Sequence, residues 1–471
     1  MPSAPSPTFS TTRPLWKNPF LLGGVAAAAV AIVLVLVFTV FTGMGVSKAE
    51  PYVREAMALL DAEKYEEALE KAELAVQADP AYPPAYAVRA EARCCLEDFE
   101  PALADCERAL ELDPRFSEGF RNRANIHDSM GDYEPALQDY GRALELDPRN
   151  AKAYNGRGVT YYHLNEYEKS LDDHDKALEI EPDNALYHVN RGYLYISLGE
   201  DDKAREDFER AVELAPDRAY AYAGRGYFFL CHGENEKALQ DYDRAVQLAP
   251  GRAYYIALRG STYVSLERYR EAIDDLDKAI ELDPRCVMAY GYRCNAHNKL
   301  GHFDQALADG NKAIELGLEK SWLYCDIALA CNKLGMYQEA IASAGRAIEL
   351  DPQDGIAYVN RCFSYNALGQ YDKGLADGNK AVELAPRNAV AYNNRGVSYK
   401  GLGQADMAMA DYIWASELDP TLSKPYYNRG MIYEERGYRD LAVAEYQKAV
   451  ELDPNDQEPR EALRRLGVPG Y

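Results

Sequence analysis

Oppositely charged residues recur along the chain at a fixed spacing of sixteen residues. Ten arginines occupy one column of a repeated segment: Arg89, Arg123, Arg157, Arg191, Arg225, Arg259, Arg293, Arg361, Arg395 and Arg429. Each is followed sixteen residues later by an acid: Asp105, Asp139, Asp173, Asp207, Asp241, Asp275, Asp309, Asp377, Asp411 and Glu445. We interpret each couple as a structural ion pair that fixes how two helices dock. The alternative is a row of arginines that bind a ligand.

Two segments depart from this charge pattern. In the first segment the signs are reversed, with Glu55 before Lys71. In the ninth segment Ile327 and Ser343 occupy the two columns, so both charges are missing. These departures support a structural role, because the two columns change together.

No residue cluster indicates catalysis or a cofactor. The sequence contains neither a GxxxxGK[ST] phosphate loop nor an HExxH zinc motif. The seven histidines are scattered, and the nine cysteines have no spacing typical of a disulfide framework or metal site. We therefore predict a protein without enzymatic activity, metal or cofactor.

The charged columns belong to an array with a period of 34 residues. Proline marks the period at 80, 114, 148, 182, 216, 250, 284, 352, 386, 420 and 454, and Leu318 takes its place once. Alanine recurs in all twelve segments, from Ala75 to Ala449, and eight segments carry Gly between two helical stretches. Glycine after a helix is typical of a left-handed stop. Each segment is therefore predicted to form helix A, a turn, and helix B before the proline.

The period, the small-residue columns, the aromatic columns and the closing proline resemble the tetratricopeptide repeat family. The resemblance covers Ala49 to Asp456 (residues 49–456) and implies an all-α, right-handed α-solenoid of about twelve helix-turn-helix units. It also implies a concave groove that binds peptide or protein partners. Residues 457–471 are expected to form a capping helix and tail, because a terminal repeat lacks a neighbour.

Residues in variable columns are the candidates for the groove. The apolar face that the family uses for binding contains Leu186, Tyr193, Tyr220, Tyr227, Leu230 and Tyr254, and Trp322 takes a similar position. The alternative is that these side chains pack between repeats. Asn360, Asn394 and Asn428 could form a ladder that holds a peptide backbone, since an amide both donates and accepts. The alternative is hydrogen bonding to helix ends.

The first 48 residues differ in composition from the array. Residues 1–17 are expected to be a disordered tail, and residues 18–47 contain no charged side chain. As a helix, residues 20–41 would be roughly 33 Å long, enough to cross a bilayer core of about 30 Å. We predict one transmembrane helix with the array on the extracytoplasmic side. The alternative is a cleaved signal peptide.

The net charge of −24 argues against nucleic acid as a partner, because phosphates would be repelled. Together these observations favour a single-pass, membrane-anchored scaffold for protein or peptide partners. Two alternatives are a noncatalytic subunit of a membrane-bound enzyme complex and a self-associating array, which would be a homo-oligomer. The missing proline at Leu318 predicts a bend, a weaker interface or a partner contact there.

Overall fold

The protein is described by a computed structural model over residues 47–471, and within that range it is built from 25 α-helices without a strand. Consecutive helices A and B form coupled pairs, which we number as repeats 1 to 12. The described chain divides into two compact units, residues 47–255 and 256–471. The boundary between them falls inside the A helix of repeat 7.

The first unit contains repeats 1 to 6 and the start of repeat 7. Its helices are α1 (Glu50–Asp61), α2 (Tyr65–Ala78), α3 (Pro83–Cys95), α4 (Phe99–Leu112), α5 (Ser117–Met130), α6 (Tyr133–Leu146), α7 (Ala151–His163), α8 (Tyr167–Ile180), α9 (Ala185–Leu198), α10 (Asp201–Leu214), α11 (Ala219–Cys231), α12 (Asn235–Leu248) and α13 (Ala253–Ser265).

The second unit continues from α13 to the end of the array. Its helices are α14 (Tyr269–Leu282), α15 (Val287–Leu300), α16 (Phe303–Glu315), α17 (Ser321–Lys333), α18 (Tyr337–Leu350), α19 (Gly355–Ala367), α20 (Tyr371–Leu384), α21 (Ala389–Gly401), α22 (Ala405–Leu418), α23 (Ser423–Glu435) and α24 (Arg439–Leu452). A last helix, α25 (Gln457–Arg465), packs against α24 through the buried Leu463.

Every turn between helices A and B contains one residue in the left-handed region. The eight glycines of this column have φ between 69° and 86°. Glu63, Glu97, Asn165 and Glu267 take the same place in the other four repeats, with φ of 57–60°. The turn geometry is therefore common to all twelve repeats, although only glycine adopts it without steric cost.

Complementary side-chain sizes bring helices A and B together. A Cβ on Gly226 would lie 3.1 Å from the Tyr242 ring, so helix A approaches this tyrosine closely. In repeat 8, Cys294 takes the column of Gly226 and Gly310 takes that of Tyr242. Ile327 of repeat 9 fills the space over Gly310, so close packing is kept there.

The segment that lacks the proline contains a closed turn and a buried leucine. Gly317 has φ of 95°, and the Leu318 amide donates to the Ala313 carbonyl at 2.9 Å. The Leu318 side chain is buried in a core that also contains Leu323 and Trp322. Without the proline, the chain makes a closed turn and inserts a leucine, so packing is preserved.

The predicted tail and most of the predicted transmembrane segment lie outside the described residues. Within residues 47–471, no helix has both the length and the apolar composition needed to span a bilayer.

Candidate functional site

The charged columns meet inside each repeat. In the ten repeats with arginine, the guanidinium contacts the acid sixteen residues later at 2.5–3.2 Å. Arg259 donates from Nε and Nη2 to Asp275 at 2.6 and 2.8 Å. Both side chains of such a pair are largely shielded from water, which makes the contact stronger than at an open surface. These arginines are therefore occupied within the repeat and are not free for a ligand.

The reversed pair of repeat 1 also forms, but in a more solvated place. Lys71 Nζ lies 2.6 Å from Glu55 Oε2, and the two side chains are 38% and 53% exposed. The hydrogen bond to Glu55 raises the pKa of Lys71. In repeat 9 the uncharged Ile327 is buried. Its side chain fills the space above Gly310, so packing replaces the ion pair there.

In the first unit, the candidate groove side chains contact one another. The rings of Tyr193 and Tyr227 meet edge to face at 5.5 Å, and Tyr193 also contacts Phe208 at 5.3 Å. Burial raises the pKa of both tyrosines. Leu186 is buried at 3% exposure in a core against which Tyr220 packs.

The remaining two candidates of the first unit, Leu230 and Tyr254, are half-buried. Much of the surface of these candidate groove residues thus packs between repeats. This is the alternative interpretation that the sequence left open. The prediction that these side chains form a binding groove is revised, because aromatic rings on neighbouring A helices contact each other.

The first unit also contacts itself across a long stretch of sequence. Arg218 Nη1 donates to the Asp61 carbonyl at 2.5 Å. Arg252 donates from Nη2 to the Tyr65 hydroxyl at 3.0 Å, and its Nε lies 3.3 Å from Glu63 Oε2. The turn of repeat 1 therefore contacts the starts of α11 and α13. No sequence signal indicates these contacts, because the partners are 157 and 187 residues apart.

This self-contact brings half-buried charged side chains together. Burial raises the pKa of Asp61 to about 6, and the cations Lys152 and Arg218 oppose the shift. Burial likewise raises the pKa of Glu63. The raised values indicate that neighbouring cations only partly offset the loss of water around these carboxyls.

The three asparagines predicted as a peptide ladder are buried and hold neighbouring A helices together. Asn360 Nδ2 donates to the Cys325 carbonyl at 3.0 Å, and Asn394 Nδ2 donates to the Val359 carbonyl at 3.3 Å. Asn428 Nδ2 donates to Asn393 Oδ1 at 2.9 Å. We correct the ladder interpretation, because these amides already donate within the array.

Further polar side chains also join the A helices of repeats 9 to 11. Asn332 donates to the Asn360 carbonyl at 3.1 Å and accepts from the Ser364 hydroxyl at 2.6 Å. Asn366 and Ser398 repeat the arrangement one segment later, at 2.7 Å for both bonds. Successive A helices are therefore cross-linked twice, which fixes the surface above them.

Exposed apolar side chains lie on the A helices that this network joins. Ile356 and Val390 occupy the same position in repeats 10 and 11, and are 44% and 41% exposed. Phe363 lies seven residues after Ile356 on the same face of α19, and is 41% exposed. We call Ile356, Phe363 and Val390 the inner patch.

Trp322 takes the corresponding position in repeat 9. Its ring stacks on Tyr292 at 5.7 Å with an interplanar angle of 6°, and it is half-buried. A Cβ on Gly291 would lie 2.8 Å from this indole, so the glycine makes room for it. Trp322 is thus part of the packed core beside the inner patch, with only one side open to a partner.

The described residues contain no group of three or more His, Cys, Asp or Glu side chains placed to hold a metal ion. All nine cysteines are free thiols, and seven of them are buried.

Comparison with known families shows similarity over parts of the chain. Models of the tetratricopeptide repeat match residues 151–184, 185–218, 253–286, 323–354, 389–422 and 423–456. A model described as a TPR repeat matches residues 129–165. Comparison with curated protein sequences gave no match.

Solved structures share the fold at low identity. A chain in the crystal structure of the APC/C hetero-tetramer Cut9–Hcn1 is 15% identical, with a TM-score of 0.50 over 93% of this chain and 99% of that chain. A tetratricopeptide repeat protein from Parabacteroides merdae is 19% identical, with a TM-score of 0.41 over 53% and 98% of the two chains. YrrB, described as a TPR protein with an unusual peptide-binding site, is 22% identical, with a TM-score of 0.34 over 40% and 97%. The first similarity shows a shared helical-repeat fold.

Proposed function

Because the chain carries tetratricopeptide repeats and folds as an array of coupled helix pairs, we propose that it is a noncatalytic scaffold that binds a protein or peptide partner. The observation that carries this proposal is the inner patch. Ile356, Phe363 and Val390 expose apolar area on helices that also carry a buried packing face, with Ala357, Cys362 and Ala391 at 0% exposure. Such area is not needed for folding of the repeats and is available to a partner.

The hydrogen bonds between the A helices beneath the inner patch support binding of an apolar segment. The asparagine and serine cross-links hold α17, α19 and α21 in fixed register. A preformed surface loses little conformational entropy when a partner binds, so more of the contact energy appears as affinity. The partner that fits best presents two or three aliphatic or aromatic side chains along one edge.

Affinity capture with the purified chain tests the proposal. We would compare the wild-type protein with an Ile356→Asp/Val390→Asp double variant. Leu282→Asp serves as the matched control, since Leu282 is 45% exposed on α14, outside the inner patch. The expected result is that partners retained by the wild type and by the control are lost from the double variant. Equal recovery by all three proteins would refute the inner patch as the binding surface.

We further propose that residues 20–41 anchor the array to a membrane with the repeats on the extracytoplasmic side. The support is the uncharged sequence from 18 to 47, which has the length of a bilayer-spanning helix. Extraction of membranes with alkaline carbonate, followed by protease digestion of intact cells, tests both parts. Release without detergent would contradict the anchor, and complete protection of the repeats would contradict the orientation.

Two other functions remain distinguishable by co-purification of the full chain. A stable, stoichiometric enzyme partner would indicate a noncatalytic subunit of a membrane-bound complex. Recovery of the chain alone as an oligomer would indicate a self-associating array.

A further inference from the structure

The outward face of α22 in repeat 11 departs from the pattern of the other repeats. One column of the B helices reads Leu74, Arg108, Arg142, Lys176, Arg210, Arg244, Lys278, Lys312, Arg346, Lys380, Trp414 and Lys448. Ten of these twelve residues are basic. Each basic residue precedes a Glu or Gln by three positions, as in Lys380–Glu383 at 2.6 Å and Lys448–Glu451 at 3.0 Å. Trp414 breaks the pattern in repeat 11.

The substitution leaves an acid without the usual basic neighbour. Glu417 keeps the position of Glu383 and Glu451, but Trp414 stands where their lysines stand. In the neighbouring repeats the pair neutralises this part of the surface. In repeat 11 the surface therefore combines an exposed indole with an exposed carboxylate.

Other apolar side chains extend this surface over two repeats. Trp414 is 56% exposed, Met407 is 51% exposed, and Ile413 is 38% exposed. Met407 precedes Trp414 by seven residues, so both lie on one face of α22. In repeat 12, Leu441 and Tyr438 are 51% and 56% exposed. We call Met407, Ile413, Trp414, Tyr438 and Leu441 the outer patch.

Folding of the repeat does not account for the outer patch. The opposite face of α22 already packs through Ala408, Tyr412 and Ala415, which are fully buried. Asp411 is occupied by Arg395 at 2.7 and 2.8 Å. Lysine, glutamate, glutamine or proline takes the column of Met407 and Leu441 in repeats 1 to 10. In this column a large apolar side chain is thus found only in the last two repeats, on their solvent-facing side.

We propose that the outer patch docks an amphipathic helix of a partner protein that carries Arg or Lys beside its apolar face. The apolar face would cover Met407, Trp414 and Leu441, as helix-in-groove partners do. The charge argument selects a basic partner. Glu417 lacks its usual cation, the chain has a net charge of −24, and an indole face attracts a guanidinium or ammonium group.

Two charged groups beside the patch are already paired within the chain. Asp406 accepts from Arg436 Nη2 at 2.6 Å, and Lys448 is held by Glu451. Glu417 is an exposed acceptor that a basic residue of the partner would reach beside Trp414, and the exposed Asp440 is a second one beside Leu441. This surface lies on the B helices, whereas the inner patch lies on the A helices, so failure of one proposal leaves the other standing.

Peptide binding to the full chain tests the proposal. The probes are two fluorescein-labelled 18-residue peptides with the same leucine face, one with a lysine and arginine polar face and one with a glutamate polar face. The chain is reconstituted in nanodiscs of zwitterionic lipid, and binding to empty nanodiscs is subtracted. Fluorescence anisotropy should show tighter binding of the basic peptide by at least tenfold.

Three variants make the test specific. Trp414→Lys restores the Lys380–Glu383 pattern in repeat 11 and is expected to weaken binding of the basic peptide by about 30-fold, as for a central aromatic contact. Glu417→Gln is expected to weaken it by roughly two- to fivefold, as for a partly exposed ion pair. Met407→Lys introduces the residue found at position 373 and keeps the test valid if Trp414→Lys does not fold.

Several results would overturn the proposal. These are equal binding of the two peptides, wild-type affinity in the Trp414→Lys and Met407→Lys variants, or a dimer of the wild-type chain that Trp414→Lys converts to a monomer. The last result would assign the outer patch to contact between two copies of the chain.

Discussion

Arg225 donates from Nε and Nη2 to the two carboxylate oxygens of Asp241 at 2.8 and 2.7 Å, joining α11 to α12 within repeat 6. The guanidinium also lies 5.8 Å from the Tyr222 ring centre and 5.9 Å from that of Phe229. The hydrogen bond to Asp241 raises the pKa of Arg225. The pair is thus flanked by aromatic rings. An unpaired charge at this place would destabilise the folded repeat.

Removal of one member of this pair should cost more than removal of both. Arg225→Ala is expected to destabilise repeat 6 by about 3 kcal/mol, since it leaves the Asp241 carboxylate buried without its cation. The double variant Arg225→Leu/Asp241→Leu should be destabilised by less than about 1 kcal/mol. Hydrogen exchange of α11 and α12 is the appropriate measurement, because long arrays do not unfold in a single step. Additive effects in the double-mutant cycle would contradict a structural ion pair.

The left-handed turn residue of repeat 7 offers a stabilising substitution. Glu267 has φ of 60°, a conformation that costs a non-glycine residue roughly 1–2 kcal/mol. Glycine loses more backbone entropy on folding, by roughly 0.5–1 kcal/mol. Glu267→Gly should therefore slow hydrogen exchange in α14 by an amount equivalent to about 0.5–1 kcal/mol. The reciprocal control, Gly301→Ala in the next repeat, should speed exchange in α16, and opposite signs in both would refute the turn argument.

A buried carboxyl in repeat 3 predicts a pH dependence. Burial raises the pKa of Asp128 to about 7, whereas an unfolded aspartate titrates near about 4. Between these values the folded state holds a proton that the unfolded state releases. The contribution of Asp128 therefore lowers stability as pH rises from about 4 to 7, and its cost persists above pH 7.

Asp128→Asn should remove this cost. The Thr160 hydroxyl, which donates to Asp128 Oδ1 at 2.7 Å, could still donate to the amide oxygen. His163 lies 3.8 Å from the carboxyl, and burial lowers its pKa to about 3, so it stays neutral in this range. We expect the melting temperatures of the two proteins to coincide near pH 4 and that of the variant to be higher at pH 8. A difference that does not change with pH would contradict the prediction.

The self-contact of the first unit should be sensitive to Arg252. Arg252→Ala removes the hydrogen bond to Tyr65 and the ion pair with Glu63, leaving a buried carboxyl without its cation. Hydrogen exchange in residues 59–68 is expected to rise roughly 10- to 100-fold, equivalent to about 1.5–3 kcal/mol for a charged hydrogen bond. Arg244→Ala is the control, since Arg244 contacts Gln247 at the surface. Equal exchange in both variants would show that the contact contributes no stability.

The sequence predicted the features that depend on local spacing. The alternation of helices and turns, the eight glycine turns and the Arg225–Asp241 type of pair follow from a period that places equivalent residues in equivalent surroundings. The contacts of Arg218 and Arg252 with repeat 1 could not be predicted, because they depend on accumulated curvature rather than on any local pattern.

The burial of the candidate site residues could not be predicted from their columns in the repeat either. Leu186 and Ile356 occupy the same column, yet the first is 3% and the second 44% exposed. Tyr187 and Tyr220 pack around Leu186 in the first unit, whereas the smaller Ala357 and Val390 take their columns beside Ile356, which is more open. The asparagine column was similarly ambiguous, since an amide that could hold a peptide can equally bind the preceding helix.

Site-specific photo-crosslinking tests the central claim, that the inner patch receives a partner, most directly. A benzophenone side chain placed at position 356 or 390 of the full chain in its native cells would report what contacts these positions. Position 282 serves as an equally exposed control. We predict that 356 and 390 give the same discrete crosslinked protein and that 282 does not. Crosslinks from 356 and 390 that match those from 282, or no protein adduct at either position, would contradict the proposal that this surface binds a partner.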